Sequence, residues 1–188
     1  MSDAWTGEGQ RPLAPNDSDG DFSLEALYVA LDEKRRKRGL TWPAAAREIS
    51  ESFARTPARP ISASTLTGIR TRRMVEGDGV LQMLRWLNRA PESFIAGHHD
   101  ATDVSTALPA TASNQILRFD TRALYEALNA RRAERGLTWT DVALEIGGVS
   151  ASGLTHLANG GRTAFPQVMR LARWLGRSAA TFTRASDR

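Results

Sequence analysis

The chain carries one sequence pattern twice, and this repeat limits its fold more than any other feature. The segment Ala26–Trp42 returns 97 positions later as Ala123–Trp139, whereas Arg85–Leu87 returns as Arg173–Leu175 at an offset of 88. A repeat of this length with one change of offset indicates two copies of one folding unit. The difference of nine residues places an insertion in the first copy, near 51–59.

Size and composition exclude several classes of protein. Each copy has roughly 70 residues, a size at which a helical domain folds but has no room for a large buried active site. The chain has no cysteine, and its three histidines (His98, His99 and His156) are too few and too scattered for a metal cluster. It has no apolar run of about 20 residues and no signal-peptide pattern at its start. We therefore expect a soluble cytoplasmic protein without catalytic activity, cofactor or metal.

The positive charge is concentrated in the two copies. Residues 22–96 carry 13 basic and 8 acidic side chains, and residues 117–188 carry 11 and 6, so each copy has a net charge of +5. The net charge of the whole chain is only +4, because the charged residues outside the copies are mostly acidic. Two basic modules on acidic connectors favour a polyanionic partner.

The boundaries follow from the same patterns. We predict a disordered acidic tail at 1–20, a first domain at 21–96, a linker at 97–116, a second domain at 117–183 and a short tail at 184–188.

Helical signals run through both copies. Leu24, Leu27 and Leu31 share one helix face, and each domain is predicted to hold four to five helices in an all-α fold. Gly39 and Gly136 should end the first helix of each copy. Further positions are predicted as helix caps (Thr41, Thr138 and Ser150) or as closing apolar contacts (Phe94 and Phe182).

The second copy carries the clearest motif. Leu137–Ile146, then Gly148–Leu154, then Ala158–Gly160 form a short helix, a glycine turn and a small capped helix with a polar outer face. This order resembles the helix-turn-helix of Cro and the phage repressors, the xenobiotic-response-element family, in a form common in high-GC bacteria. The resemblance covers nearly all of both copies. It implies two tandem lambda-repressor-like domains that bind double-stranded DNA as a nucleoid-associated transcriptional regulator.

The resemblance also implies the residues that contact DNA. Base-reading positions fall on Ala63, Ser64 and Gly68 in the first copy and on Ala151, Ser152 and His156 in the second, phosphate contacts on the caps and tryptophans, and further contacts on nearby arginines. In the first copy these are Trp42, Ser62, Ala63, Ser64, Thr65, Thr67, Gly68, Arg70, Arg72 and Arg73, and in the second Trp139, Thr140, Ser150, Ala151, Ser152, Gly153, Thr155, His156, Asn159 and Arg162.

The roles of two tryptophans and of the insertion stay open from the sequence. Trp42 and Trp139 suit core packing and an indole hydrogen bond to phosphate equally well. Pro57 and Pro60 in the insertion cannot continue a helix, so we expect the second helix of copy one to lengthen and loop back. Copy one would then be a weaker reader, retained for packing or for a partner.

The alternatives to a regulator are a protein-interaction module and a non-specific architectural DNA binder. The interaction module would dock a toxin, a sigma factor or a second copy of the chain, in the manner of an antitoxin. As a regulator the chain would act as a covalent pseudo-dimer on an inverted or direct repeat.

Overall fold

Helices and short 3₁₀ turns make up most of the residues that the structure describes. The computed structural model describes residues 21–51, 60–71, 75–95, 107–112 and 115–187. We call residues 21–95 the first repeat and 115–187 the second repeat. Residues are called equivalent when they are separated by 97 positions before the insertion or by 88 positions after it.

The first repeat contains four α-helices and two short 3₁₀ turns among its described residues. They are α1 (Leu24–Lys37), α2 (Trp42–Ile49), α3 (Ala63–Thr67), the turn Gly68–Thr71, α4 (Gly77–Leu87) and a terminal turn, Pro91–Phe94.

The second repeat follows the same order between two strands. It comprises β1 (Ile116–Phe119), α5 (Thr121–Glu134), α6 (Trp139–Ile146), α7 (Ala151–His156), the turn Leu157–Asn159, α8 (Phe165–Leu175), a terminal turn Ala179–Phe182, and β2 (Thr183–Ser186).

The all-α prediction is corrected by a small sheet. Strands β1 and β2 pair antiparallel, with Phe119 opposite Thr183. The equivalent residues of the first repeat, Phe22 and Ile95, form a single antiparallel bridge. Each repeat is therefore closed by pairing the residues before its first helix with those after its terminal turn. Ile116 belongs to this sheet although the sequence predicts it as linker, and β2 extends past 183 into the predicted tail.

The predicted helix caps are confirmed. Thr41 and Thr138 cap α2 and α6, where their hydroxyls accept hydrogen bonds from Ala44 N at 3.3 Å and Asp141 N at 3.2 Å. Ser150 accepts from Gly153 N at 3.0 Å and caps α7 in the same way. These bonds satisfy backbone N–H groups that a helix start leaves without a partner.

A three-residue contact is built identically in both repeats. In the first, the indole N–H of Trp86 in α4 donates to Glu48 in α2 at 3.0 Å, and the same carboxylate receives the guanidinium of Arg38. In the second, Trp174 donates to Glu145 at 2.9 Å, and Arg135 reaches the same glutamate at 2.6 Å. The contact joins the end of the first helix, the second helix and the last helix of each repeat.

The insertion leaves the first repeat's framework unchanged. The hydroxyl of Ser50 donates to Ile61 O at 3.1 Å and accepts from Ile61 N at 2.9 Å, so the two ends of the inserted segment meet. Helix α2 ends at Ile49 and has eight residues, as does α6. The prediction that this helix lengthens is therefore wrong. Pro57, within the insertion, lies outside the described residues.

The two repeats pack against each other through equivalent elements. Helix α4 contacts α8, and the two terminal turns contact each other. Glu76 and Ala164, which are equivalent, face each other in an isolated antiparallel bridge. An element that meets its own equivalent is the contact pattern of a two-fold dimer.

The backbone hydrogen bonds beside this bridge are reciprocal. Gly77 N donates to Thr163 O at 3.3 Å, and Phe165 N donates to Val75 O at 3.0 Å. Gly77 is equivalent to Phe165 and Val75 to Thr163, so the two bonds are equivalent and run in opposite directions across the interface. A pseudo-two-fold axis therefore passes between Glu76 and Ala164.

An aromatic cluster fills the interface beside this axis. The fully buried ring of Phe165 lies 4.5 Å from Phe22 of the first repeat and 5.4 Å from Phe119 of the second, measured between centroids. All three residues belong to one hydrophobic core that runs through both repeats. Burying such rings contributes about 1.5–3 kcal/mol each, so this contact holds the repeats together.

Candidate nucleic-acid interface

Helix α7 presents a short polar surface on a buried support. Leu154 points into the core and is fully buried, while Ser152, Thr155 and His156 are exposed. The Ser150 hydroxyl lies 3.1 Å from that of Ser152, so the helix start carries adjacent hydroxyls. The sequence predicts this division between inward leucine and outward polar side chains.

Helix α3 presents the equivalent surface in the first repeat. Leu66 is fully buried, and Ser62, Ser64 and Thr67 are exposed. The Ser62 hydroxyl caps the helix by accepting from Thr65 N at 3.1 Å, and it lies 2.8 Å from the Ser64 hydroxyl. The cap and the inward leucine are therefore the same in both copies, despite the insertion that precedes α3.

The structure places the other predicted contact residues with different degrees of exposure. Arg72 and Arg73 lie outside the described residues. Those half-buried are Trp42, Ala63, Thr65, Gly68, Trp139, Ala151 and Gly153, and those exposed are Arg70, Thr140, Asn159 and Arg162, besides the polar residues of α3 and α7 already named.

The two tryptophans at the starts of α2 and α6 are packing residues in this structure. Trp42 stacks on Tyr28 at 5.5 Å between ring centroids, and the guanidinium of Arg35 lies 4.9 Å from its ring centre. Trp139 has the same surroundings, with Tyr125 at 5.3 Å and an arginine at 5.1 Å. Stacking and cation–π contact hold both rings against the core. The packing alternative is thus supported for both.

Two arginines that no sequence motif singles out hold these rings in place. Arg35 and Arg132 each donate to the carbonyl oxygen just before the cap of the next helix, Leu40 O at 2.7 Å and Leu137 O at 2.8 Å. Each arginine thereby fixes the turn between the first and second helices. The only sign of this role in the sequence is that an arginine stands at the same position in both copies.

The two predicted contact arginines that the structure describes, Arg70 and Arg162, are engaged with carboxylates. Arg70 donates to Glu25 at 3.2 Å and lies over the ring of Tyr28, and the Glu25 carboxylate raises the pKa of Arg70. Arg162 lies 2.7 Å from Glu76, across the repeat interface. All four charged side chains are more than half exposed, so these ion pairs contribute little to stability.

The start of α6 carries a capping box that α2 lacks. The Asp141 carboxylate accepts from Thr138 N at 2.8 Å and from its hydroxyl at 2.6 Å, and these bonds lower the pKa of Asp141. A negative charge there stabilises the helix N-terminus. Asp141 also follows Thr140 in the chain, which places an acidic group next to one predicted DNA contact.

A polar cavity of about 430 Å³ lies between the repeats, beside the β1–β2 sheet. Burial raises the pKa of Asp78 in its wall, although Arg118 opposes this. The arginines of its lining each lie beside a carboxylate. The pairs are Arg118–Asp78 at 3.0 Å, Arg162–Glu76 at 2.7 Å and Arg184–Asp120 at 3.5 Å.

The described part of the chain contains no group of three histidine, aspartate or glutamate side chains placed to hold a metal ion. Its helices all lack the length and apolar character that crossing a bilayer requires. His98 and His99 lie outside the described residues. No protein-family model, curated protein or solved structure matches the chain.

Proposed function

We propose that the chain binds double-stranded DNA as a transcriptional regulator, with two tandem lambda-repressor-like helix-turn-helix units in one polypeptide. Helices α3 and α7 are the recognition helices and enter two major grooves. The observation that carries the proposal is the duplicated, serine-capped helix, which buries one leucine and exposes small polar side chains. No catalytic step and no cofactor is required.

The pseudo-two-fold axis supports a particular arrangement of the target. Two units related by a two-fold rotation match two half-sites related by the same rotation, which is an inverted repeat. The reciprocal bonds around Glu76 and Ala164 relate the repeats in this way. We therefore favour an inverted over a direct repeat, with half-site centres roughly one helical turn, ~34 Å, apart.

The charge of the repeats and the small side chains of α3 and α7 favour DNA binding with weak base specificity. Each repeat carries a net charge of +4, with 13 basic and 9 acidic side chains in 21–95 and 10 basic and 6 acidic in 115–187, which favours contact with phosphate. Serine and threonine make weaker base choices than arginine or asparagine. His156 is the largest exposed side chain on α7, and its equivalent in the first repeat is Gly68. The two half-sites should therefore differ, with the stronger base preference under α7.

An interaction module is the second candidate function, and one side chain favours it. Leu144 on α6 is 77 % exposed, an unusual position for a leucine, and its equivalent is Arg47. An exposed leucine in only one copy suits a protein partner of that copy. An architectural DNA binder is the third candidate and would use the same charges without base preference.

Selection from a random duplex pool at low and near-physiological salt tests the proposal. Enrichment of two inverted half-sites, with an affinity that falls steeply with salt, is the expected result. Retention of DNA without an enriched motif would instead make the chain an architectural binder. Absence of binding even at low salt would reject both and favour the interaction module.

Charge-introducing variants locate the contact surface. Ser64→Glu and Ser152→Glu place a carboxylate in the first turn of α3 and α7, where it favours the helix but repels phosphate. Each should weaken binding by at least about tenfold. Thr181 is exposed on the terminal turn of the second repeat. The control variant Thr181→Glu adds the same charge there and should change the affinity for DNA little. Equal effects of all three would place the DNA contact outside the recognition helices.

A further inference from the structure

We infer that the two repeats are built to pair with each other and not with their own copies. The contacts around the pseudo-two-fold axis are made by residues that differ between the repeats in complementary ways. Three independent positions show this complementarity, and none of them belongs to the surface proposed to contact DNA.

The first position is a ring opposite a glycine. Phe165 fills the space beside the axis, and its equivalent is Gly77. A Cβ atom at Gly77 would lie 2.8 Å from Cδ2 of Phe119 and 3.2 Å from Thr163 O, so even one methyl group is too large there. Two second repeats would bring two rings into the space that one ring fills, and two first repeats would leave that space empty.

The second position is a charge pair. Arg170 of the second repeat donates to Asp21 of the first at 2.9 Å. The equivalents of these residues are Gln82 and Arg118. Two second repeats would therefore bring Arg170 opposite Arg118, two like charges in a half-buried site. Two first repeats would bring Asp21 opposite an uncharged amide and lose the pair.

The third position is a buried carboxylate. Glu92, 8 % exposed, accepts from Ala179 N at 2.8 Å and from the Ser178 hydroxyl at 3.0 Å, both in the second repeat. The residue equivalent to Ala179 is Pro91, which has no N–H to donate. Two first repeats would thus bury Glu92 without this donor. Two second repeats would have no carboxylate here, because the equivalent residue is an alanine.

The complementarity defines the partner of this surface. The second repeat contributes a surface made of α8 and its terminal turn. This surface is complementary to the one that α4 and the terminal turn form in a first repeat. One chain supplies both surfaces, so the pairing is complete within a monomer. A second chain can join only by reciprocal exchange, the first repeat of one chain pairing with the second repeat of the other.

Cleavage of the full-length chain tests this pairing without assuming that either repeat folds alone. A protease recognition sequence inserted after Asp100 allows the folded protein to be cut between the repeats. Native mass spectrometry at micromolar concentration should then show a complex of one amino-terminal and one carboxy-terminal fragment. Fragments that separate on cleavage, or pairs of two identical fragments, would overturn the inference.

Exchanging the ring and the glycine provides the sharper test. Gly77→Phe and Phe165→Gly should each raise the dissociation constant of the cleaved complex by at least about tenfold. The double variant should bind more tightly than either single variant, because one ring again fills the space from the opposite side. If the dissociation constant of the double variant rises by the product of the two single increases, the two residues do not share one space, and the inference is contradicted.

A matched control separates this effect from a general cost of phenylalanine in α4. Gly79 lies in the first turn of the same helix, and a Cβ atom built there meets nothing within 4 Å. Gly79→Phe should leave the dissociation constant within about threefold of the parent. An effect as large as that of Gly77→Phe would show that helix distortion, rather than the interface, causes the loss.

Discussion

The two repeats agree closely inside and differ outside. The bond from the last-helix tryptophan to the second-helix glutamate measures 3.0 Å in the first repeat and 2.9 Å in the second. The arginine that fixes the following turn donates at 2.7 Å in one and 2.8 Å in the other. These bonds set the relative position of the helices, so both copies present their capped third helix on the same framework.

The differences lie where the repeats face solvent or each other. The first repeat has a glycine, Gly68, at the position where the exposed side chain of His156 projects in the second. At the interface, Gly77 faces the ring of Phe119, and its equivalent, Phe165, is itself a ring. The framework is thus duplicated unchanged, whereas the surfaces have become specific to each copy.

A matched pair of core substitutions gives the largest expected effect and tests whether the repeats unfold as one unit. Leu66 and Leu154 are equivalent and fully buried. Replacing either by alanine should lower the free energy of unfolding by about 2–5 kcal/mol. Because the core is continuous across the interface, urea denaturation of both variants should remain a single transition.

Two separate transitions in either leucine variant would contradict that expectation. The repeat carrying the substitution would then unfold before the other, and the interface would contribute little to stability. The two repeats would then be independent domains. Intrinsic tryptophan fluorescence and far-UV circular dichroism should give coincident curves if one transition is present.

Local sequence patterns were sufficient to predict the helices of both repeats except for the length of α2. Thr41, Thr138 and Ser150 are caps as predicted, since a hydroxyl before an apolar period satisfies free backbone N–H groups wherever it occurs. Leu154 and Leu157 are buried on the inner side of this capped segment, opposite the polar outer face that the sequence predicts. The candidate recognition surfaces were placed by this pattern, and their role in reading DNA stays a prediction.

Features that depend on distant residues were not predictable in this way. Strand β1 is four residues long, Ile-Leu-Arg-Phe, and its partner β2 lies beyond the helices of the second repeat, so no local alternation reveals the pair. Glu92 reads as a surface residue until Ala179 and Ser178 are placed beside it. Gly77 likewise reads as a simple helix start, because only the packed repeats show the ring that excludes a side chain there.

Replacing the caps of α2 and α6 should give a smaller effect that distinguishes the repeats. Thr41→Ala removes one backbone bond, from Ala44 N. Thr138→Ala removes the equivalent bond and also the bond from its hydroxyl to Asp141. Thermal or urea unfolding of both variants should show a loss of about 0.5–2 kcal/mol of stability, with the greater loss for Thr138→Ala. Equal losses would mean that the bond from the Thr138 hydroxyl to Asp141 contributes nothing beyond the single cap.

The smallest expected effect is a pH dependence shared by both repeats. The Trp86 indole and then Arg38 lower the pKa of Glu48, and Arg135 and then Trp174 lower the pKa of Glu145, in each case from an ordinary value of 4.5. A carboxylate with a lowered folded-state pKa stabilises the fold above its ordinary pKa. This contribution disappears as the pH falls through the folded-state value.

Neutral variants of the two glutamates test this dependence. Glu48→Gln and Glu145→Gln keep a side-chain oxygen for the indole but lose the charge. Each variant should be less stable than the parent near neutral pH, and thermal unfolding should show the difference shrinking on acidification below the ordinary pKa. The double variant should show the sum of the two single changes, because the sites lie in separate repeats. A response at only one glutamate would show that the duplicated contact, although alike in geometry, is energetically different in the two copies.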